Sequence, residues 1–157
     1  APTACPVISC PACPTCPTTV SPSLNWTIVG GDRFVRFPQK MNWAKARVLC
    51  RSHNLDLYIP KQILDLAQYL DASFADDNMQ TQDHHWLGAH GNGTHQVWLS
   101  GDAISTDPDD LWYNNAYNHH GINDCTFLLT DHDAYSKGRV LSAYRCTIVP
   151  GYSVLCG

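Results

Sequence analysis

No segment of this 157-residue chain is apolar for long enough to cross a membrane, and charge is scarce, with Asp, Glu, Lys and Arg together at 15%. The net charge of −4 and a pI near 6.0 leave no basic footprint, which argues against nucleic acid as a partner. There is no Gly-x-Ser-x-Gly elbow and no phosphate-binding glycine loop. Ser, His and Asp fall in no catalytic arrangement, so enzymatic activity is not expected. No internal repeat is visible. The chain opens Ala1-Pro2-Thr3 without an initiator methionine or an apolar leader, the form expected of a secreted, extracellular protein whose signal peptide has been removed.

What is present suits a secreted fold. A chain of this length buries roughly two-thirds of its unfolded surface, enough for one core. Five tryptophans and seven tyrosines supply rings for a binding surface, and two sequons, Asn25-Trp26-Thr27 and Asn92-Gly93-Thr94, mark Asn25 and Asn92 as glycosylation candidates. The eight cysteines, an even number, read as a disulfide framework whose connectivity counting alone leaves open.

Composition divides the chain into residues 1–23 and 24–157. The first segment has Pro2, Pro6, Pro11, Pro14, Pro17 and Pro22 spaced by Ser and Thr, and is expected to be extended. It carries Cys5, Cys10, Cys13 and Cys16. A polyproline II helix repeats every three residues, so the last three share one edge, well placed to meet a second chain. The Cys-Pro-Ala-Cys-Pro-Thr-Cys-Pro run is similar to an antibody hinge. Interchain bonding is the expectation for these four; internal pairing and thiolate binding of a soft metal are the alternatives.

From Leu24 onward regular elements are predicted. Thr27–Val29 and Arg33–Phe37 read as strands around Gly30-Gly31, with Pro38 ending the second. Asn42 can cap a helix whose Trp43, Ala46 and Cys50 form one stripe. A second helix follows Pro60, with Ile63, Leu66, Ala67 and Leu70 as its apolar face. Short strands are expected at Trp86–Ala89, Val97–Leu99, Thr126–Leu129 and Ser153–Cys156. The stretch from Gly101 to Asp124, rich in Asp, Asn, Gly and His, is longer than an ordinary connection and is expected to be functional.

Cys50 at the close of a helix, Cys125 and Cys146 close together, and Cys156 near the end stand around Trp86-Leu87-Gly88-Ala89 and Trp98. This pattern resembles the C-type lectin-like domain from about Trp26 to Cys156. The resemblance implies an α+β fold in which two helices flank small antiparallel sheets and a long irregular loop region carries the ligand site. It also implies the pairs Cys50–Cys156 and Cys125–Cys146. On the chain-entropy model these loops contribute about 4–5 and about 3 kcal/mol.

Sugar-binding members of that family hold a hydroxyl pair on Ca²⁺, using a Glu-Pro-Asn or Gln-Pro-Asp triplet in the loop, an acidic residue before the next cysteine, and Trp-Asn-Asp before the third. Here the loop reads Asn114-Asn115-Ala116-Tyr117-Asn118, and Leu141-Ser142-Ala143 precedes Cys146. Leu and Ala cannot ligate a hard cation, so the usual calcium site is expected to be absent and no cofactor or metal is assigned. Asn123 and Asp124 still offer oxygen. The run Asp107-Pro108-Asp109-Asp110 reads first as a solvated turn and second as a cation site.

His84-His85 and His119-His120 are adjacent pairs, with His90 and His95 between them. No pair has the i, i+4 spacing of a helical metal site, and neighbours in a strand point to opposite faces, so ordinary polar surface is the expectation. The candidate ligand contacts are Trp112, Tyr113, Asn115, Tyr117, Asn118, His119, Asn123 and Asp124, which combine aromatic area with adaptable amides. Trp112 also reads as a core residue. Two functions follow. One is a secreted recognition protein of host defence binding glycans without calcium, its avidity raised by hinge-linked chains in a homo- or hetero-oligomer. The other is a scaffold subunit holding a protein, a mineral or ice surface, or an apolar pigment-like molecule.

Overall fold

The structure, a computed structural model, describes residues 23–74, 84–105, 111–113, 116–130 and 138–157, with Tyr117 described in its backbone only. Cys5, Cys10, Cys13 and Cys16 lie outside the described residues.

Strands β1 (Trp26–Val29) and β2 (Asp32–Met41) form a hairpin whose turn residues, Gly30 and Gly31, have φ of 56° and 87°. Glycine adopts such angles without steric cost. Contrary to expectation, β2 does not end at Pro38. The pairing with β1 reaches only to Val35, so further along one flank of β2 has no β1 partner whose ladder a missing N–H would interrupt. The register with β7 is irregular between Phe37 and Met41, and the Pro38 carbonyl accepts from Ser153 Oγ at 3.2 Å.

Asn42 caps α1 (Trp43–Ser52) as its position predicts, Oδ1 accepting from Lys45 N–H at 3.0 Å, and the helix buries Ala46 and Cys50. Helix α2 (Ile63–Phe74) buries Leu66, Ala67 and Leu70. Pro60, expected in its first turn, lies just upstream. The start of α2 is held instead by Asp32, buried at the head of β2, whose Oδ2 accepts from Lys61 N–H and Gln62 N–H at 3.0 Å each. A carboxylate there satisfies orphan donors and faces the positive end of the helix dipole.

The other strands are β3 (His85–Gly91), β4 (Gln96–Trp98), β5 (Asp124–Leu128), β6 (Leu141–Arg145) and β7 (Tyr152–Cys156). The expected small antiparallel sheets are in fact one mixed sheet, in the order β1-β2-β7-β3-β5-β6 with β4 on β3. They merge because β7 enters between β2 and β3, antiparallel to the first and parallel to the second. Strand β6 contains Leu141-Ser142-Ala143 and is not among the strands the sequence predicts.

Alternation along the strands divides the core in two. Trp86, Phe127, Val154 and Cys156 pack with Ala46 and Cys50 of α1. Leu87, Ala89, Leu128, Leu141 and Leu155 pack on the opposite face with Leu66, Ala67 and Leu70 of α2. His84 and His85 obey the same alternation. The His84 ring lies 5.3 Å from both Phe127 and Tyr152, whereas His85 is fully buried and its Nε2 accepts from Arg36 Nε at 2.9 Å. The Arg36 guanidinium sits 4.0 Å over Phe74, which ties the end of α2 to the sheet.

Both implied disulfides are formed within the chain. Cys50–Cys156 spans 106 residues and fastens α1 to β7, and Cys125–Cys146 spans 21 and fastens β5 to the end of β6. Asp56 joins α1 to the segment beside β7 through Arg47 Nε at 2.9 Å and Arg51 at 3.2 Å. Burial pushes its carboxyl up, but the two arginines and the Leu57 N–H outweigh that and hold it below the usual range. Burial, and then the Asp32 carboxylate, holds the Tyr58 phenol far above its usual value; burial and then Tyr144 raise Tyr152.

Replacing Asp32 with Ala should lower stability by about 1–2 kcal/mol in urea unfolding, the cost of a lost cap; unchanged stability would remove Asp32 from that role. A pH dependence follows as well. The raised phenols of Tyr58 and Tyr152 contribute stability below the unfolded tyrosine value of about 10 that is lost as pH rises further. The lowered Asp56 contributes above about pH 4 and loses its contribution in more acid solution. Absorbance titration should show late-ionising tyrosines whose release coincides with unfolding, and Tyr58→Phe should weaken the alkaline transition.

Candidate functional site

The chain reaches the candidate site along the outer edge of β6. Trp112 bridges Leu141 in parallel, with Leu141 N–H donating to the Leu111 carbonyl at 2.7 Å and Tyr113 N–H to the Leu141 carbonyl at 2.9 Å. Alternation then separates the two aromatic candidates. Trp112 turns inward, 2% exposed, and its indole N–H donates to the Ser105 carbonyl. It is a core side chain, which corrects its candidacy as a ligand contact: its ring is spent on the α2-side core. Tyr113 turns the other way, beside Ser142 in register, and is half-buried against the α1-side core.

A one-turn 3-10 helix, Ala116–Asn118, anchors itself through the buried Ala116, and its His119 N–H donates to the Ala116 carbonyl at 3.0 Å. Asn118, His119, Ile122 and Asn123 are then exposed, Ile122 by 77%. Asn114, Asn115, Asp107, Asp109, Asp110 and the Tyr117 side chain lie outside the described residues.

Direct protein contacts hold this exposed turn from beneath. Gln96, 1% exposed on β4, donates through Nε2 to the His119 carbonyl, and Thr126 Oγ1 donates to Gln96 Oε1 at 2.8 Å. Gly93 N–H donates to the His120 carbonyl at 2.9 Å, and Cys146 N–H to the Asn123 carbonyl at 2.7 Å. Asp124 does not turn outward as a free ligand. Its Oδ2 accepts from Gly121 N–H at 3.1 Å and closes its own turn. Gly91 makes the approach possible: a Cβ there would stand 2.2 Å from the Gly121 carbonyl oxygen and 2.4 Å from that of His120. Neither Gln96, Thr126 nor Gly91 was singled out from the sequence. A lone polar residue in a three-residue strand carries no periodic signal, and only the unexplained glycine was readable as a close approach.

The donor set where the resembled family places its Trp-Asn-Asp ligands does not fit calcium. Leu141 and Ala143 are buried with no side-chain oxygen, and Ser142 offers a single hydroxyl. Among the described residues, no three His, Cys, Asp or Glu side chains gather as a metal-binding group. The surface offers rings instead. Tyr113, Ser142 and Tyr144 share a sheet face and Tyr144 is 46% exposed, while the buried Phe127 packs tilted against Tyr152 on the same side, centroids 4.3 Å apart. Such phenols with neighbouring amides can stack on a flat face and hydrogen-bond around it.

No family model matches the chain, and no curated protein does. Solved structures do. The chain is similar to SPL-1 in complex with GlcNAc, at 15% identity over 83% of this chain and 90% of that one, with a TM-score of 0.62. It is similar to TC14, a C-type lectin from the tunicate Polyandrocarpa misakiensis, at 20% identity, 78% and 94% coverage and a TM-score of 0.57. A calcium-independent type II antifreeze protein matches at 16% identity, 90% and 92% coverage and a TM-score of 0.59. These likenesses establish the fold.

Gly91→Ala should push the turn from His119 to Asn123 off β3, because the obstructing atoms are backbone. Thr126→Val should loosen it more gently, at about 1–2 kcal/mol for the hydrogen bond taken from the buried Gln96. Amide exchange over residues 118–124 should accelerate in both variants; unchanged exchange would show that these contacts do not hold the turn.

Proposed function

We propose that this chain, which has the C-type lectin-like fold, is a secreted recognition protein. It binds a glycan through the turn at Asn118–Asn123 and the adjoining Tyr113–Ser142–Tyr144 face, with no calcium in the contact. The observation that carries this reading is the set of direct hydrogen bonds that hold the turn, donor first: Gln96 to His119, Gly93 to His120, Gly121 to Asp124 and Cys146 to Asn123. A loop already ordered by protein groups does not require a cation for its shape, and the ligand then meets preformed rings and amides. The likeness to a protein solved with GlcNAc supports a sugar, and the likeness to a calcium-independent antifreeze protein supports a working surface on this fold without the cation. Cys10, Cys13 and Cys16, with Cys5, join chains so that weak single sites act together.

A non-sugar ligand is the second reading, favoured by the exposed Ile122 and Tyr144, which suit a protein, a regular surface or an apolar molecule.

Glycan-array binding by the full chain should be the same with and without a chelator. Tyr113→Ala and Tyr144→Ala should each weaken it by about 1–3 kcal/mol if the rings are anchors. A tenfold gain on adding calcium would overturn the cation-free reading, and a blank array with retained binding to another surface would transfer the site to the second reading. A non-reducing gel should show species above monomer mass that collapse on reduction; monomer alone would remove the interchain bonds.

A further inference from the structure

The two sequons share the Asn-x-Thr pattern and differ in shape. Asn25 and Thr27 enter an extended strand. Trp26 between them lies under the Arg33 guanidinium at 3.9 Å, and Thr27 is half-buried opposite Phe34. That shape depends on β2. Asn92-Gly93-Thr94 caps the tip of the β3–β4 hairpin and is shaped by its own neighbours. Asn92 Oδ1 accepts from Thr94 N–H at 3.0 Å, Thr94 Oγ1 at 2.8 Å and His95 N–H at 3.0 Å. The Thr94 hydroxyl has given its only proton to Asn92, so its 2.9 Å contact with His95 Nδ1 requires the ring N–H to donate. His95 Nε2 is then an acceptor and faces Asn92 Nδ2 at 3.3 Å.

This closed set of bonds presents the amide and the threonine hydroxyl together on an exposed turn. Its side-chain bonds span at most three residues, so the shape can form before the sheet and the disulfides do. Three partners engage the carbonyl oxygen, while Nδ2 carries two hydrogens and uses one toward His95. The second is replaceable with no loss to the turn. Gly93 (φ 98°) adds no bulk, and a Cβ there would meet nothing within 4 Å.

We propose that Asn92, rather than Asn25, is the principal N-glycan attachment site of this chain, an inference that rests on the secretory part of the reading above. In the transfer, Nδ2 forms a bond to the anomeric carbon of an oligosaccharide carried on a lipid diphosphate. The anomeric C–O bond breaks, the lipid diphosphate leaves with the electron pair, and the displaced Nδ2 proton passes to a base of the transferase. The glycan stands on a hairpin tip bonded to the ligand turn through Gly93 and His120, so it borders the site and leaves the Tyr113–Tyr144 side open to a ligand.

The test is secretion of the full chain from eukaryotic cells, followed by peptide-N-glycosidase release and peptide mapping. Conversion of residue 92 to Asp on release is the expected result. Asn92→Gln should lose a glycan-sized mass that Asn25→Gln retains. Thr94→Ser, which preserves the hydroxyl, should remain modified even if Asn92→Gln fails to fold. A secreted chain with bare Asn92, or with glycan on Asn25 alone, overturns the proposal. Retention of a folded chain inside the cell would overturn the secretory reading instead.

Discussion

Residues 152–156 must enter between two strands that lie far from each other in sequence, and most of the architecture depends on that insertion. Strand β7 is antiparallel to β2 and parallel to β3, so among the described residues its strand pairing joins the N-terminal hairpin to the strands carrying the candidate site. Its side chains serve both cores, Val154 and Cys156 toward α1 and Leu155 toward α2. Cys156 then bonds to Cys50, Leu57 bridges the same residue, and Tyr58 N–H donates to the Leu155 carbonyl. Such non-local pairing is slow to find because loop closure precedes any reward from the contacts. The 106-residue disulfide holds the arrangement by removing extended conformations from the unfolded ensemble.

What could be read from sequence were features written in local repetition. The stripe Leu66, Ala67, Leu70 and the cap at Asn42 need only a few neighbouring residues to declare themselves, and both are found as expected. The pairs Cys50–Cys156 and Cys125–Cys146 came through the resemblance, since spacing alone permits other connectivities. Asp32 could not be assigned to α2 in the same way, because its partners are Lys61 and Gln62 and the relation exists only once β2 has paired. Strand β6 is only five residues long, too short for its alternation to stand out from the sequence. Within the stretch from Gly101 to Asp124, composition could not say which ring turns inward. The parallel bridge between Trp112 and Leu141 decides that, sending Trp112 to the core and Tyr113 to the opposite face.

The buried polar groups bring specificity to an otherwise apolar centre. Gln96 and Thr126 would each be costly to bury alone, but together they satisfy one another and a backbone carbonyl of the exposed turn. An apolar pair of similar volume would leave the His119 carbonyl without that donor. The network is therefore selective as well as stabilising: moving the turn strands a buried amide, whereas moving an apolar contact only thins the packing. Gly91 adds a steric condition, since the turn can lie this close only where no Cβ intervenes.

A loop held in this way responds to different variables from one assembled around an ion. Cation-held loops vary with ion concentration and with protonation of their carboxylates. Here amide donors reach backbone carbonyls, the Thr126 hydroxyl donates to the Gln96 side-chain carbonyl, and Asp124 accepts from the Gly121 N–H. The trade is adaptability for constancy. Shape is fixed when the sheet closes, which leaves Tyr144 exposed on the sheet and Asn118, Ile122 and Asn123 exposed on the turn. The order of the turn is thus inherited from β3, β4 and β5, through Gly91, Gln96 and Thr126.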